Sequence, residues 1–113
     1  MSAKAILAAG AGFAAFLLVQ AAVAADHDAI TVTIKNHRFT PSEIHVPANK
    51  PARLEIANQD STAEEFDSSA LQIEKVIAGG RRAPVRIQPL APGRYPFMGE
   101  YHADTAQGVI VAE

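Results

Sequence analysis

The 113-residue chain contains no cysteine and no tryptophan. The absence of cysteine excludes disulfide bonds, iron–sulfur clusters, cysteine-ligated zinc and thiol nucleophiles. The motifs G-x-S-x-G, Walker loop and H-E-x-x-H are also missing. Glu64 and Glu100 could in principle form an acid–base pair, but a domain this small has little room for a deep substrate cleft. We therefore expect a protein that is not an enzyme.

Charge is absent from a long apolar run near the amino terminus. A basic start, residues 1–4, precedes the uncharged residues 5–19, and the small residues 20–25 contain an A-x-A pattern at 22–24. This order predicts a secretory signal peptide over residues 1–25, a mature domain over residues 26–113, and a periplasmic or secreted location. The alternative is an uncleaved anchor, although the run is shorter than the about 20 residues of a membrane span.

Neither sign of charge dominates the rest of the chain. The sequence has 10 Lys and Arg against 12 Asp and Glu, and without Lys4 of the leader the mature balance is 9 against 12, a net charge of −3. This mild acidity argues against nucleic acid as a partner. The mature part has the length of one small domain.

No long amphipathic helix follows the leader. Apolar and polar residues alternate over short stretches such as Ile30–Lys35, Arg53–Ile56 and Arg82–Ile87, and Pro, Gly or Asn residues separate them every 8–12 positions. This spacing predicts an antiparallel β-sandwich or barrel. Residues 68–75 leave two alternatives open, a helical turn or an extended segment that begins near Ile73.

The polar side chains near the carboxyl terminus are the first candidate metal ligands. Glu100 and His102 lie two residues apart, so an extended chain points both side chains the same way. Imidazole suits copper, zinc, iron and nickel, and carboxylate suits harder ions. The alternative is an ordinary solvated loop.

A second pair of carboxylates, Glu64 and Glu65, begins a predicted strand. If Phe66 faces the core, Glu64 shares its side and Glu65 faces away. The Asp60–Glu65 loop could converge with the Gly99–Gln107 loop at one end of the sandwich, together with Asn36 and His37. His37 itself is expected at the surface, and Met98 is expected to pack on the outer face or at an edge.

The segment from Pro92 to His102, followed by residues 107–111, resembles the carboxyl-terminal ligand loop of cupredoxins. Residues 39–46 and 54–60 resemble the first half of the same family. The local sequence motifs are most similar to those of cysteine-poor, EfeO-type cupredoxin-like periplasmic proteins associated with iron uptake. The resemblance implies an all-β, Greek-key sandwich of about seven or eight strands, a bound copper or iron ion, and a membrane iron permease as partner.

The resemblance also implies where ligands fall. The copper cysteine of the family falls at Gly99, its second histidine at His102, its axial methionine near Gln107, and its first histidine at Glu64 or Glu65. Blue-copper electron transfer depends on the copper–thiolate bond, so no such centre is possible here. Metal capture or delivery is the function implied; the alternative is a metal-free interaction module that partners a membrane transporter. The implied ligand set is Glu64, Glu65, Glu100, His102 and Gln107.

Overall fold

The computed structural model describes residues 29–113, which form nine β-strands and a single-turn 3-10 helix. Within this part of the chain, no helix has the length and hydropathy needed to cross a membrane. The predicted leader and the first residues of the predicted mature domain lie outside the described residues. The elements are β1 (Ile30–Lys35), β2 (Arg38–Thr40), β3 (Glu43–Val46), β4 (Ala52–Asn58), β5 (Glu64–Ser68), β6 (Ile73–Ile77), β7 (Arg82–Ile87), β8 (Gly93–Gly99), the 3-10 helix (Glu100–His102) and β9 (Gln107–Ala112).

Two sheets make up the sandwich, one in the order β2-β1-β4-β7 and the other in the order β3-β9-β8-β5-β6. The predicted all-β sandwich is confirmed, although the described residues form nine strands instead of seven or eight. The predicted antiparallel pairing holds for five of the seven strand pairs, whereas β1 pairs with β4 and β3 pairs with β9 in parallel. Alternation within a strand sets which face is buried but not the direction of its neighbour. The ambiguous segment is extended from Ile73 onward.

The core follows the alternation of each strand. In β5, Glu64, Phe66 and Ser68 are buried while Glu65 and Asp67 are partly exposed, as the sequence predicts. In β8, Phe97 and Gly99 point inward and Met98 is 38% exposed on the outer face. One face of most strands is therefore buried against the opposite sheet, whereas in β6 only Ile77 is buried.

Three phenylalanine rings lie beneath the end of the sandwich that carries the candidate site. Phe97 contacts Phe39 at a centroid distance of 4.9 Å and Phe66 at 4.7 Å. Aromatic rings at these distances add packing energy beyond the area that they bury. The cluster joins β2 of one sheet to β5 and β8 of the other, and so fixes the relative positions of the strands that carry the site.

Candidate metal centre

Three loops meet at this end of the sandwich, and Asp60 ties two of them together. Its carboxylate accepts hydrogen bonds from the backbone N–H groups of Asn36, at 2.8 Å, and His37, at 2.9 Å. Both residues have left-handed backbone angles, φ 53° and 59°, as a two-residue hairpin turn requires. The third loop joins through Thr105, whose hydroxyl donates to the His37 carbonyl oxygen at 2.7 Å. The structure therefore brings together the three segments expected from the sequence.

Glu64 is the buried carboxylate of the site, with 1% of its surface exposed. Its Oε2 lies 2.7 Å from His102 Nδ1, and its Oε1 accepts hydrogen bonds from the backbone N–H groups of Glu65 and Tyr101, each at 2.9 Å. Buried carboxylates are costly unless such partners satisfy them. These contacts hold the carboxylate in one position and orient the His102 ring.

The Glu64 carboxylate occupies the space beside Gly99. A β-carbon at position 99 would lie 2.6 Å from Glu64 Cδ and 2.7 Å from Ala106 Cβ. Real β-carbons do not approach other heavy atoms this closely, so glycine is the residue that fits here. The place where the family resemblance puts a copper thiolate is thus filled by a carboxylate from the neighbouring strand.

His37 covers the other side of His102. The two imidazole rings stack with a centroid distance of 3.6 Å and an interplanar angle of 11°. His37 Nδ1 lies 3.4 Å from Asp60 Oδ2, so each stacked imidazole has its own carboxylate partner. The hydrogen bonds from His37 N and Asn36 N hold the pKa of Asp60 below its usual value.

The prediction that His37 lies at the surface is only partly correct. Its side chain is 42% exposed, yet one ring face is packed against the site. No local pattern in the sequence pointed to this contact, because it depends on Asp60, 23 residues away. Sequence reasoning therefore missed the packing of His37 against the site.

A second group of carboxylates lies on the outer face of β5. Oxygens of Glu65, Asp67 and Glu100 all lie within 4.8 Å of one another. The hydrogen bond to Glu100, together with desolvation and the nearby negative charges, raises the pKa of Glu65 to about 7. Gln107 lies apart from both groups, exposed, with its Nε2 donating to the Ala103 carbonyl oxygen at 2.9 Å.

The five ligands predicted from the sequence are thus divided among three places. Glu64 and His102 form the inner pair, Glu65 and Glu100 belong to the outer group, and Gln107 belongs to neither. Glu64 and Glu65 separate because adjacent residues of a strand point to opposite faces. Glu100 and His102 separate because they lie in the single-turn 3-10 helix and not on an extended chain, so the prediction that their side chains point the same way is wrong.

The raised pKa of Glu65 predicts a stability that falls as the pH rises. Between the unfolded value of 4.5 and the folded value of about 7, the folded state binds more protons than the unfolded state. In metal-free protein, the melting temperature should therefore decrease from pH 5 to pH 8. Glu65→Gln should flatten this decrease, and added salt should reduce it, because the group is exposed.

Gln107→Ala is the matched control for this measurement, because Gln107 carries no charge and lies outside the carboxylate group. It should keep the pH profile of the wild type. An identical profile in Glu65→Gln would contradict the assignment.

The inner pair fits a metal ion that binds nitrogen and oxygen donors. Ligand atoms at about 2.0–2.1 Å from one ion, in the right-angled positions of a square-planar or octahedral ion, are about 2.9 Å apart. The 2.7 Å hydrogen bond between Glu64 Oε2 and His102 Nδ1 therefore places an oxygen and a nitrogen donor close enough to share an ion that displaces the proton between them. The stacked rings of His37 and His102 are nearly parallel, so their in-plane lone pairs do not converge on one point. In this arrangement His37 covers the site and does not add a ligand. A blue-copper centre does not fit these residues, since no thiolate is present and Gly99 admits no side chain.

The fold and the position of this site define a cupredoxin-like protein. Residues 8–112 match the model of the cupredoxin-like domain family, and the chain therefore belongs to that family.

A protein of Rickettsia prowazekii (strain Madrid E), described as uncharacterized protein RP394, is 42% identical over 82 residues, which cover 73% of this chain and 66% of the relative. The chain thus spans just under two thirds of that relative's length.

Solved structures with low sequence identity share the fold. The metal-binding domain of the Cu(I)-exporting P-type ATPase CopA from Streptococcus pneumoniae D39, solved with Cu(I), aligns with a TM-score of 0.64 and 17% identity, covering 74% of this chain and 83% of that one. An oxidized mutant of amicyanin aligns with a TM-score of 0.61 and 18% identity, covering 75% and 82%. At these identities the alignments establish the architecture.

Proposed function

We propose that the protein binds a metal ion, with Cu(II) as the best fit, through Glu64 and His102, and that it is not a blue-copper electron carrier. The observation that carries the proposal is the 2.7 Å contact between Glu64 Oε2 and His102 Nδ1 at the end of the sandwich where the two closing strands meet. One imidazole and one carboxylate, with water in the remaining positions, form a harder donor set than a thiolate site. Such a set favours Cu(II) over Cu(I).

The role that we propose for this site is the capture or delivery of a metal at the cell envelope. Support comes from the predicted leader over residues 1–25 and from the resemblance to EfeO-type proteins associated with iron uptake. On this proposal the protein is periplasmic, a membrane iron permease is its partner, and iron is the second candidate metal. The metal content of protein isolated from its native periplasm tests this role, and amino-terminal sequencing of the same material tests the cleavage.

Copper titration tests the site itself. We expect a Cu(II) complex tighter than ~10⁻⁴ M, with an electron paramagnetic resonance spectrum that shows nitrogen and oxygen ligation and without the intense visible absorption of a copper–thiolate bond. His102→Ala and Glu64→Gln should each weaken binding by about 100-fold or more, because loss of a second-shell partner alone typically costs 10–100-fold. All proteins should also carry His27→Ala, since an imidazole close to a free amino terminus can bind Cu(II) by itself.

Glu100→Gln is the matched control, because it removes one carboxylate of the outer group and leaves the inner pair intact. It should leave the affinity and the spectrum unchanged. Loss of binding in Glu100→Gln but not in His102→Ala would move the ion to the outer face. If the reference protein, which carries only His27→Ala, binds none of Cu(II), Zn(II) and Fe(III), metal binding is refuted altogether.

One observation favours a second candidate function, a metal-free interaction module. Among the described residues, every buried side-chain nitrogen and oxygen atom has a hydrogen-bond partner without any ion. The Glu64–His102 pair therefore does not need a metal to be satisfied. Stable, correctly folded protein that contains no stoichiometric metal after isolation from its native compartment, and that is captured with a membrane transporter, would favour this function.

A further inference from the structure

The two outer faces of the sandwich carry opposite charges. We call the outer face of the four-stranded sheet the basic face. Among the described residues, Glu55 is its one carboxylate, and Glu55 Oε1 lies 3.6 Å from Nη2 of Arg53 on the same strand. The outward direction of each basic side chain follows from the alternation of its strand, since in each case a neighbouring residue of the same strand is buried. The basic face is defined by Lys35, Arg38, Arg53, Arg82 and Arg86.

Two pairs of like charges lie directly opposite each other on this face. Arg53 of β4 is paired with Arg86 of β7, and Lys35 of β1 is paired with Arg38 of β2. Like charges in directly opposed positions of a sheet are destabilising. The cost of these pairs falls when an anionic surface lies against them.

The opposite face has the reverse character. In the five-stranded sheet, Asp67 is paired with Glu74, and Glu65 lies beside Glu100. The protein is therefore electrically polar across its two sheets, although the predicted mature chain has a net charge of −3. A charged plane would attract one face and repel the other, which sets an orientation as well as an affinity.

The composition of the basic face distinguishes a membrane surface from a protein partner. The centres of protein interfaces are depleted in charge and enriched in aromatic residues, whereas the exposed large hydrophobic residues of the described chain, Val76, Met98 and Tyr101, lie outside the four-stranded sheet. The basic face instead carries threonines, Thr31, Thr33 and Thr40, whose hydroxyl groups can donate to phosphate oxygens.

From these observations we propose that the basic face lies on an anionic phospholipid surface. Attraction of this kind contributes about fivefold in partitioning for each Lys or Arg near the surface. Lys35 and Arg38 flank the Asn36–His37 turn, so the end of the sandwich that carries His102 would lie next to the headgroups. The inference does not depend on metal binding, and it adds a location to whichever function the site has.

Cosedimentation with vesicles tests the proposal. Wild-type protein should bind vesicles of phosphatidylcholine mixed with phosphatidylglycerol, should not bind pure phosphatidylcholine, and should dissociate as the ionic strength rises. The double variant Arg82→Glu/Arg86→Glu should lower the partition coefficient by about 25-fold or more, since two attractive charges are each worth about fivefold. Circular dichroism and the Cu(II) affinity of this variant should match the wild type.

The control is Lys50→Glu/Arg94→Glu, which changes the net charge by the same amount at positions outside the strands of the basic face. Its partition coefficient should stay within about twofold of the wild type. Equal losses in both double variants would overturn the proposal, because net charge and not the face would then govern binding. Absence of vesicle binding by the wild type, including the case in which the basic face instead binds a second copy or an acidic protein, would also overturn it.

Discussion

Replacing Gly99 by alanine is expected to lower the free energy of unfolding by about 3 kcal/mol, at the upper end of the range for overpacking a core. The new β-carbon would lie 2.6 Å from Glu64 Cδ and 2.7 Å from Ala106 Cβ. Ala106 has no rotatable side chain, so the Glu64 carboxylate must move and give up hydrogen bonds to His102, Glu65 and Tyr101. Urea denaturation of the two proteins measures the loss.

Gly80→Ala is the matched control for this substitution. A β-carbon at Gly80 would have no atom within 4 Å, but its φ of 74° lies in the left-handed region. The free energy of unfolding should therefore fall by only about 1 kcal/mol, the cost of a left-handed backbone conformation in a non-glycine residue. A loss below about 1 kcal/mol in Gly99→Ala would show that the space beside Glu64 is not needed.

A double-mutant cycle isolates the contact between positions 64 and 99. Glu64→Ala removes the atoms that the new β-carbon meets first, so Gly99→Ala should cost less in that background than in the wild type. Residues in direct contact typically couple by about 0.5–3 kcal/mol. Strict additivity would mean that the clash is relieved elsewhere, for example by a shift of Ala106.

Replacing Asn58 by alanine is expected to cost about 3 kcal/mol of unfolding free energy and to loosen the loop that holds His37. Asn58 is 2% exposed, and its Nδ2 donates to the carbonyl oxygens of Thr62, at 2.9 Å, and Ile77, at 3.0 Å. Its Oδ1 accepts from the backbone N–H of Asp60 at 3.0 Å. Each buried group left without a partner costs about 1–3 kcal/mol. Chemical denaturation and amide hydrogen exchange at residues 59–63 measure the two effects.

The neighbouring exposed residue supplies the control. Gln59→Ala changes the same loop without removing a buried hydrogen bond, and it should alter stability by no more than about 0.5 kcal/mol. Equal stabilities of Asn58→Ala and Gln59→Ala would show that water replaces the amide and that the loop does not depend on it.

Local alternation made the sheet faces predictable. Glu64 could be assigned to the buried side because Phe66, two residues later, had to face the core, and Met98 could be placed outside by the same parity. The convergence of three loops at one end was an expectation from the sandwich architecture and not from a predicted strand order. The predictions of the faces need only the period of a strand and the requirement that one face be buried.

The arrangement within the site depends on registers that the sequence does not reveal. The pairing of Phe66 with Gly99 places the Glu64 carboxylate where a side chain of residue 99 would lie. The stacking of His37 on His102 requires the hydrogen bonds to Asp60 from another loop. Candidate residues could therefore be named by residue type, but their grouping and the part of His37 could not be predicted.

The carboxylate beside Gly99 has a consequence for how the protein can change by mutation. A single substitution that introduces cysteine at position 99 would meet Glu64 before it could meet any ion. Removing Glu64 first would leave His102 without its buried partner. Either order of these two substitutions therefore passes through a destabilised intermediate. Positions 64 and 99 are thus epistatic. The present site is separated from an electron-transfer site by paired changes and not by a single one.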